Sequence, residues 1–446
     1  MSLLSTRPPD ASQRRHRRAD LIAGALAVAL VAAAVAVGFG FHVRLFGSRY
    51  FPGAPTTFGE WPILGDWLPH VGPGTPVAIL IAAATVGYGP TLAATLPWRT
   101  ALVSGYLLAI SWTFSLALVD GWQRGIAGQL TSRDEYLSAV GGITDIPAML
   151  RSFSGRILDF QPDSWTTHVA GHPPGATLIF VWLDRIGLSG GGWAAIVCVL
   201  VAGAAAVAVP VTLSIVAGEH LARAALPFVA LMPGAVWLGV SADALFTGVT
   251  ATGIALLAIG ARGRRVLPSV AGGVLLGYGI FLSYGLVLMG AVALAVVWTL
   301  RGWRALALGA AGALAVVLAF ALAGFWWLDG YHLVVQRYYQ GIANDRPYWY
   351  WVWADLACLV LAIGPGAVAG LRRAVPRLPV VWAAGLAVLA ADLSGLSKSE
   401  VERIWLPFAV WLVAGTALLP AATRRGWLAA GAVTALLVNH LLLTNW

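Results

Sequence analysis

Apolar segments of nearly 20 residues recur along almost the whole chain and are separated by short polar stretches. A helix of that length crosses a hydrocarbon core of roughly 30 Å. Of the 446 residues, 59% are hydrophobic and only 11% are charged. The pattern predicts an all-α, polytopic helical membrane protein with about 11–13 transmembrane helices.

The formal net charge of +9 changes this picture little, because the basic residues lie in short clusters at segment ends. Such clusters mark cytoplasmic ends under the positive-inside rule, so the charge reports topology and does not indicate a nucleic-acid partner. The two cysteines, Cys198 and Cys358, fall in apolar segments and are expected to be small core residues. The clusters are Arg14–Arg18, Arg262–Arg265, Arg301–Arg304, Arg372–Arg377 and Arg424–Arg425.

Placing each basic cluster in the cytoplasm divides the chain into three parts. Residues 1–19 form a basic tail, residues 20–99 a transmembrane hairpin with an exterior loop, and residues 100–446 the main transmembrane domain. The apolar segment after the tail is too long for a signal-peptide core and is expected to stay as an anchor. The chain is therefore predicted to cross the plasma (inner) membrane many times, with its active site on the extracytoplasmic face. The exterior loops of the main domain are 120–171, 325–353 and 394–404.

Counting crossings from the two ends gives topologies that differ by one between residues 172 and 240. Either 172–187 or 221–236, each roughly 16 residues, is expected not to span the membrane. We expect 221–236 to be the one, because Pro227 and Pro233-Gly234 interrupt it.

The largest exterior loop concentrates groups capable of acid–base chemistry. It begins at Asp120, contains the adjacent carboxylates Asp134 and Glu135, and closes on His168 and His172. Carboxylates and histidines at a water–lipid boundary usually indicate chemistry or transport. The alternative for the carboxylate pair is a capping box that begins a helix, and the alternative for His172 is simple packing at a helix start.

The other two exterior loops combine cations with aromatic rings. One contains Arg337, Tyr338 and Arg346, and the other contains Lys398, Glu400 and Arg403. A guanidinium can bind phosphate through two parallel donors, and aromatic faces suit a sugar ring. Two alternatives stay open: the aromatic residues are anchors at the membrane interface, and the last carboxylate and arginine form an i, i+3 ion pair.

Several sequence features are missing. There is no Walker loop, no glycine-rich dinucleotide turn and no soluble domain, so the substrate is expected to be lipid-linked or delivered from outside. A coupled transporter would ordinarily show a row of charges at the membrane midplane, and the apolar segments have none. A transporter or flippase of a lipid-linked saccharide is nevertheless the second interpretation, and a structural subunit of a cell-envelope assembly is the third.

Four short motifs stand out in the exterior loops and helix starts: Asp134-Glu135, His172-Pro-Pro-Gly, Ser241-x-Asp243 and Glu400-x-x-Arg403-x-Trp405. Taken together, they resemble membrane glycosyltransferases of the GT-C fold. The strings Gly-His-Pro-Pro-Gly and Ser-Lys-Ser-Glu-Val-Glu-Arg-Ile-Trp-Leu-Pro look most like the actinobacterial transferases that add methylthioxylose to lipoarabinomannan. The acidic loop follows the first spanning helix in the GT-C family but the third one here.

The resemblance implies a GT-C-like fold and transfer of a sugar, such as methylthioxylose, from a polyprenyl-phosphate donor to a glycan or glycolipid acceptor. It also implies that a loop carboxylate acts as general base, which matches Asp134 or Glu135 with Asp120 in reserve, and that Lys398 and Arg403 hold the donor phosphate. No metal-ligating residue and no cofactor is assigned, and a divalent metal stays open; the remaining partner is membrane lipid. The expected substrate-binding residues are His168, His172, Asp243, Arg337, Tyr338, Arg346, Lys398, Glu400 and Arg403.

Overall fold

The computed structural model describes residues 11–43, 62–374 and 377–444. Most of the predicted exterior loop of the N-terminal hairpin and the first half of the basic tail lie outside these residues. Six described helices are long and apolar enough to cross a membrane, and a seventh candidate is a pair of helices bent by 103°. Together with four shorter apolar helices, these make 11 candidate spans by length and composition among the described residues, within the predicted range of 11–13. The prediction of an all-α, multi-pass membrane protein is confirmed.

The described helices begin and end as follows. The first half of the chain has α1 (Ala11–Gly40), α2 (Thr75–Thr95), α3 (Trp98–Ala117), α4 (Leu137–Val140), α5 (Ile146–Ser152), α6 (Thr167–Gly171), α7 (Pro174–Arg185), α8 (Gly191–Gly203), α9 (Ala205–Val216), α10 (Glu219–Ala230), α11 (Ala235–Leu238) and α12 (Ala242–Gly263). The second half has α13 (Val266–Leu282), α14 (Met289–Leu300), α15 (Trp303–Leu322), α16 (Trp327–Gln340), α17 (Tyr348–Ile363), α18 (Pro365–Ala374), α19 (Pro379–Leu393), α20 (Val401–Ile404), α21 (Leu406–Val413) and α22 (Ala421–Leu441). Two short strands, β1 (Gly65–Trp67) and β2 (Leu442–Thr444), pair antiparallel.

Helix α12 lies at the centre of the bundle. Of its most apolar stretch, 78% is buried inside the protein, compared with 22% for α1, α2 and α15. Glycine permits this close packing: a Cβ atom on Gly248 would lie 1.8 Å from the carbonyl oxygen of Val201 in α8. Small residues at such contacts let helix backbones approach in a membrane. The helix begins at Ser241, whose hydroxyl accepts a hydrogen bond from the Ala244 N–H, and therefore carries Asp243 in its first, buried turn.

Contacts between distant segments show which helix ends share a face of the membrane. The pairing of β1 with β2 places the N-terminal loop beside the C-terminal end, and His70 contacts Asp120 at 3.1 Å. At the other face, Asp20 pairs with Arg373 at 2.6 Å. Both pairings agree with the topology counts. We call the face with β1, β2 and residue 120 the site face.

The non-spanning segment is α7, so the expectation that 221–236 would be the one is wrong. At the start of α7, His172 hydrogen-bonds to His168, and at its end Arg185 donates to the carbonyl of Thr144, 2.8 Å away. Both ends of α7 thus contact the same loop, 120–171. A 12-residue helix is only about 18 Å long, too short to cross.

Helices α10 and α11 connect the two faces instead. Arg223 in α10 donates to the carbonyls of Ala93, in the last turn of α2, and Leu96, just after α2. This end of α2 is on the face opposite the site face. The chain after α11 leads into Ser241 and Asp243. Proline interrupts this segment as expected, because Pro227 lies inside α10, but the interruption bends a crossing and does not prevent it. The two counts then agree.

We expect the site face to be extracytoplasmic. A Thr144→Cys variant, exposed in loop 120–171, should react with an impermeant thiol reagent added to intact cells whose outer layers admit it. An Arg17→Cys variant in the basic tail is the matched control and should react only after the inner membrane is opened. The opposite order of labelling would overturn the topology.

Candidate functional site

Arg403 is the centre of a buried polar cluster at the site face. It lies on the short helix α20 and is only 4% exposed. Its Nη1 donates to Asp243 at the start of α12, and its Nη2 donates to Glu400 at 3.1 Å. The same Nη2 lies 3.5 Å from Nε2 of His168. One guanidinium therefore joins three segments that are far apart in the sequence.

The acidic loop reaches this cluster through His168. The His168 Nδ1 donates to the backbone carbonyl of Asp134 at 2.8 Å, and its Nε2 faces Arg403. The Glu135 carboxylate lies 3.6 Å from the same Nδ1. Of the two adjacent carboxylates, Glu135 is buried at 3% exposure, whereas Asp134 is exposed and accepts from Thr167 at 3.0 Å. Glu135 is thus the carboxylate that faces the cluster.

The helix after this pair does not begin where the capping-box alternative places it. The helix that follows begins only at Leu137, and its N-cap is Tyr136, which provides no side-chain cap. A capping box needs the helix to begin directly after Ser132, with Glu135 as its third residue. Burial beside His168, not helix capping, is what distinguishes Glu135.

Arg346 and Lys398 hold two exterior loops together by reciprocal bonds. Arg346 Nη1 donates to the carbonyl of Lys398 at 2.7 Å, and Lys398 Nζ donates to the carbonyl of Arg346 at 2.9 Å. The hydroxyl of Tyr338 accepts from the Lys398 N–H at 2.8 Å. Arg346 also donates to Glu400 at 3.3 Å. Burial, with Arg346 nearby, lowers the pKa of Lys398 below its usual value.

The backbone at Ser399 and Glu400 is unusual. Both residues have left-handed conformations, with φ of 71° and 64°, which cost energy for residues other than glycine and often occur at functional sites. The Ser399 N–H donates to the carboxylate of Asp355 at 3.0 Å, which helps to hold the turn. The turn directs Glu400 between Arg346 and Arg403.

The charges of these groups follow from their neighbours. Burial acts to raise the pKa of Glu400, but Arg346 and Arg403 outweigh it, so the pKa lies below its usual value and the group is ionised at neutral pH. Burial acts to lower the pKa of Arg403, but Asp243 and Glu400 outweigh it and the pKa is raised. The nearby Glu402 is fully buried, and burial raises its pKa to about 8, which favours the neutral acid.

A group of rings packs against the cluster at the start of α7. Tyr136 lies 5.7 Å from His172 and 5.2 Å from Phe180, measured between ring centroids. Its hydroxyl is buried and has no hydrogen-bond partner among the described residues. His172 donates from Nδ1 to the carbonyl of His168 at 2.9 Å. The packing expected for His172 is therefore present, next to the polar cluster.

Two residues expected in the site belong to other groups. Asp120 pairs with Arg124 and with His70, and Arg337 pairs with Asp159 at 2.6 Å. Each has a partner of its own at the site face. Among the described residues, no group of histidine, cysteine, aspartate or glutamate side chains is arranged to hold a metal ion.

Sequence reasoning missed two contributors, Tyr136 and Asp355. Asp355 is a single carboxylate inside an apolar, tryptophan-rich helix and is buried at 2% exposure. An ionisable residue in such a segment is a functional or structural signal in itself. Tyr136 had no signal beyond its position next to Glu135.

Comparisons with known proteins give limited similarity. No family model and no curated protein matches the sequence. Solved structures that resemble the fold in part include two of ArnT from Cupriavidus metallidurans. The apo structure has a TM-score of 0.44 and 17% identity, and covers 71% of this chain and 60% of its own. The structure bound to undecaprenyl phosphate has a TM-score of 0.47 and 18% identity, with 70% and 59% covered. At these values the similarity does not establish a family.

The environment of His172 predicts a dependence of stability on pH. Burial lowers its pKa to about 4, against the partial opposition of Asp243, whereas the unfolded chain has a pKa near 6.5. Between pH 6.5 and pH 4 the unfolded state binds more protons than the folded state. Protonation of His172 therefore favours unfolding, and the protein loses stability as the pH falls through this range. We expect His172→Gln to flatten this part of the profile in thermal unfolding of the detergent-solubilised protein. An identical slope in wild type and variant would contradict the assignment.

Proposed function

We propose that this protein is a membrane glycosyltransferase that moves a sugar from a polyprenyl-phosphate donor to a cell-envelope glycan or glycolipid. One observation carries the proposal: four segments far apart in the sequence bring Glu135, His168, Asp243, Glu400 and Arg403 into one buried cluster at one face. All of these residues except His168 lie in the motifs by which the sequence resembles GT-C enzymes. A lipid-linked substrate suits a site built at the edge of a membrane.

The donor phosphate is proposed to bind between Arg346 and Arg403. These two guanidiniums share the carboxylate of Glu400, at 3.3 and 3.1 Å, so an anion already occupies the position that suits phosphate. The Glu400 side chain is 18% exposed, compared with 3% for Asp243. An incoming phosphate would therefore replace Glu400, while Asp243 keeps Arg403 in place.

Glu135 is proposed as the general base. It would take the proton of the acceptor hydroxyl as that oxygen forms a bond to the anomeric carbon of the donor sugar. The bond between the anomeric carbon and the phosphate oxygen breaks, and its electron pair leaves with the polyprenyl phosphate. Arg346 and Arg403 would stabilise the negative charge that develops on the phosphate. Two side chains are proposed to support these groups: His168, placed between Glu135 and Arg403, and Tyr338, which holds the Lys398 backbone.

The sugar and its acceptor are proposed from the sequence motifs. The strings around His172 and Arg403 favour a pentose, methylthioxylose being the first candidate, and a lipoarabinomannan-type acceptor. The direct test is a transfer assay with the purified protein, radiolabelled polyprenyl-phosphate pentose and envelope glycan. Labelled glycan should form with the wild-type protein, and its absence with every pentose donor would refute the finer proposal.

Exchanging carboxylate for amide tests the base. Glu135→Gln keeps size and hydrogen bonding but cannot accept the proton, so we expect turnover to fall by roughly 10²- to 10⁴-fold. Asp134→Asn is the matched control, and it should retain most activity because its side chain is exposed and bonds Thr167. The base would be another carboxylate if Glu135→Gln kept full activity while Asp134→Asn or Asp120→Asn lost activity.

Changes at Arg403 and Glu400 test the phosphate site. Loss of a charge-assisted hydrogen bond costs about 1.5–3 kcal/mol, so Arg403→Ala should raise the donor KM about tenfold to hundredfold. Arg403→Lys, which keeps only the charge, should have a smaller effect. Glu400→Gln should leave the donor KM unchanged or lower, because it removes the competing anion.

The double variant Glu400→Gln with Arg403→Gln separates a structural role from a binding role. Transfer restored to the wild-type rate in the double variant would show that the ion pair is structural and that the phosphate binds elsewhere. A donor KM in the double variant that is as high as that of Arg403→Ala would support the proposed phosphate site. The thermal unfolding of each variant is measured as well, so that a loss of activity caused by misfolding can be recognised.

A further inference from the structure

A cavity of about 470 Å³ opens at the site face, between residues 154–161 and helix α16. This volume lies within the range of small-molecule sites, about 300–1,000 Å³. None of the residues proposed above for donor binding or catalysis lines it. We call it the α16 groove. Its lining side chains include Ser154, Leu158, Gln161, Asp329, His332 and Leu333.

The lining of the groove suits an uncharged, hydroxyl-rich ligand. It offers a hydroxyl, an amide, a carboxylate and an imidazole, which together can donate and accept hydrogen bonds. Leu158 and Leu333 add apolar surface for the C–H faces of a sugar ring. None of the described lining residues is lysine or arginine, so the groove does not suit a phosphate. Asp329 would repel an anionic ligand.

The walls of the groove are held in a defined position. Asp159 pairs with Arg337 at 2.6 Å, and its N–H donates to Oε1 of Gln340 at 2.8 Å. Both bonds fasten the loop to α16. Arg156 stacks over the ring of Trp165 at 3.4 Å and donates to the Asp163 carbonyl. A rigid groove loses little conformational entropy when it binds a ligand.

Helix α16 also connects the groove to the Arg403 cluster. Asp329, His332 and Leu333 are spaced i, i+3, i+4 and so share one face of the helix. Further along the same helix, Tyr338 accepts a hydrogen bond from the N–H of Lys398, whose side chain donates to the carbonyl of Arg346. The helix also packs against α6, which carries His168.

We propose that the α16 groove binds the saccharide acceptor of the transfer reaction. This inference rests on the proposed function and extends it: the phosphate end of the donor binds between arginines, and an uncharged part of the acceptor glycan binds in a groove without cations. The separation lets the two substrates occupy the enzyme together. Asp329, His332 and Gln161 are then positioning residues for the acceptor and take no part in the chemical step.

The test measures acceptor binding in two ways. Saturation-transfer NMR with mannotriose, xylotriose and maltotriose reports binding to the full-length protein in detergent without turnover. The transfer assay gives the acceptor and donor KM separately. The variants are the double change Asp329→Asn with His332→Ala, and Leu333→Trp, which fills the groove. Gln336→Ala is the matched control, because Gln336 is an exposed residue of α16 outside the lining.

We expect at least one trisaccharide to bind the wild type and the control, with affinity reduced at least tenfold in both groove variants. In both groove variants the acceptor KM should rise at least tenfold while the donor KM stays unchanged. An unchanged acceptor KM, or equal trisaccharide binding in wild type and groove variants, would overturn the proposal. Absence of transfer by the wild type, with trisaccharide binding that still depends on Asp329 and His332, would refute the proposed function and leave the groove as a saccharide site.

Discussion

The buried ion pair between Arg403 and Asp243 is the interaction on which the rest of the site depends. Their side chains are 5% and 3% exposed. Charges removed from water to this extent are costly unless they are paired and hydrogen-bonded, and removing one partner of such a pair typically costs about 3–5 kcal/mol. The arginine thus requires Asp243 to be in place, and Asp243 is in place because it lies in the buried first turn of α12, the most buried of the six long apolar helices described.

From this pair the organisation of the site face follows. Glu400 and His168 complete the surroundings of Arg403, and each belongs to a different exterior loop. Arg346 extends the network through Glu400 and through its reciprocal bonds with Lys398. Three loops that are separate in sequence therefore form one polar surface. The left-handed backbone at Glu400 is the local strain that this arrangement requires.

Much of the architecture could be predicted from the sequence, because spanning helices are specified by length and hydrophobicity alone. Asp243, Glu400 and Arg403 could also be identified, since ionisable residues are rare in so apolar a chain. The contacts of these residues could not be predicted. Adjacent carboxylates such as Asp134 and Glu135 are equivalent in the sequence, and only the fold shows that one is buried and the other exposed. The position of α7 was missed for a similar reason, because its failure to span depends on contacts of both its ends with one loop.

The most direct test of the central claim is an experimental structure of the protein with a polyprenyl phosphate bound. The account predicts phosphate oxygens within hydrogen-bond distance of both Arg346 and Arg403, with the Glu400 carboxylate displaced and the Arg403–Asp243 pair intact. The lipid chain should leave the site toward the membrane. A phosphate bound away from these two arginines, with Glu400 still between them, would contradict the account.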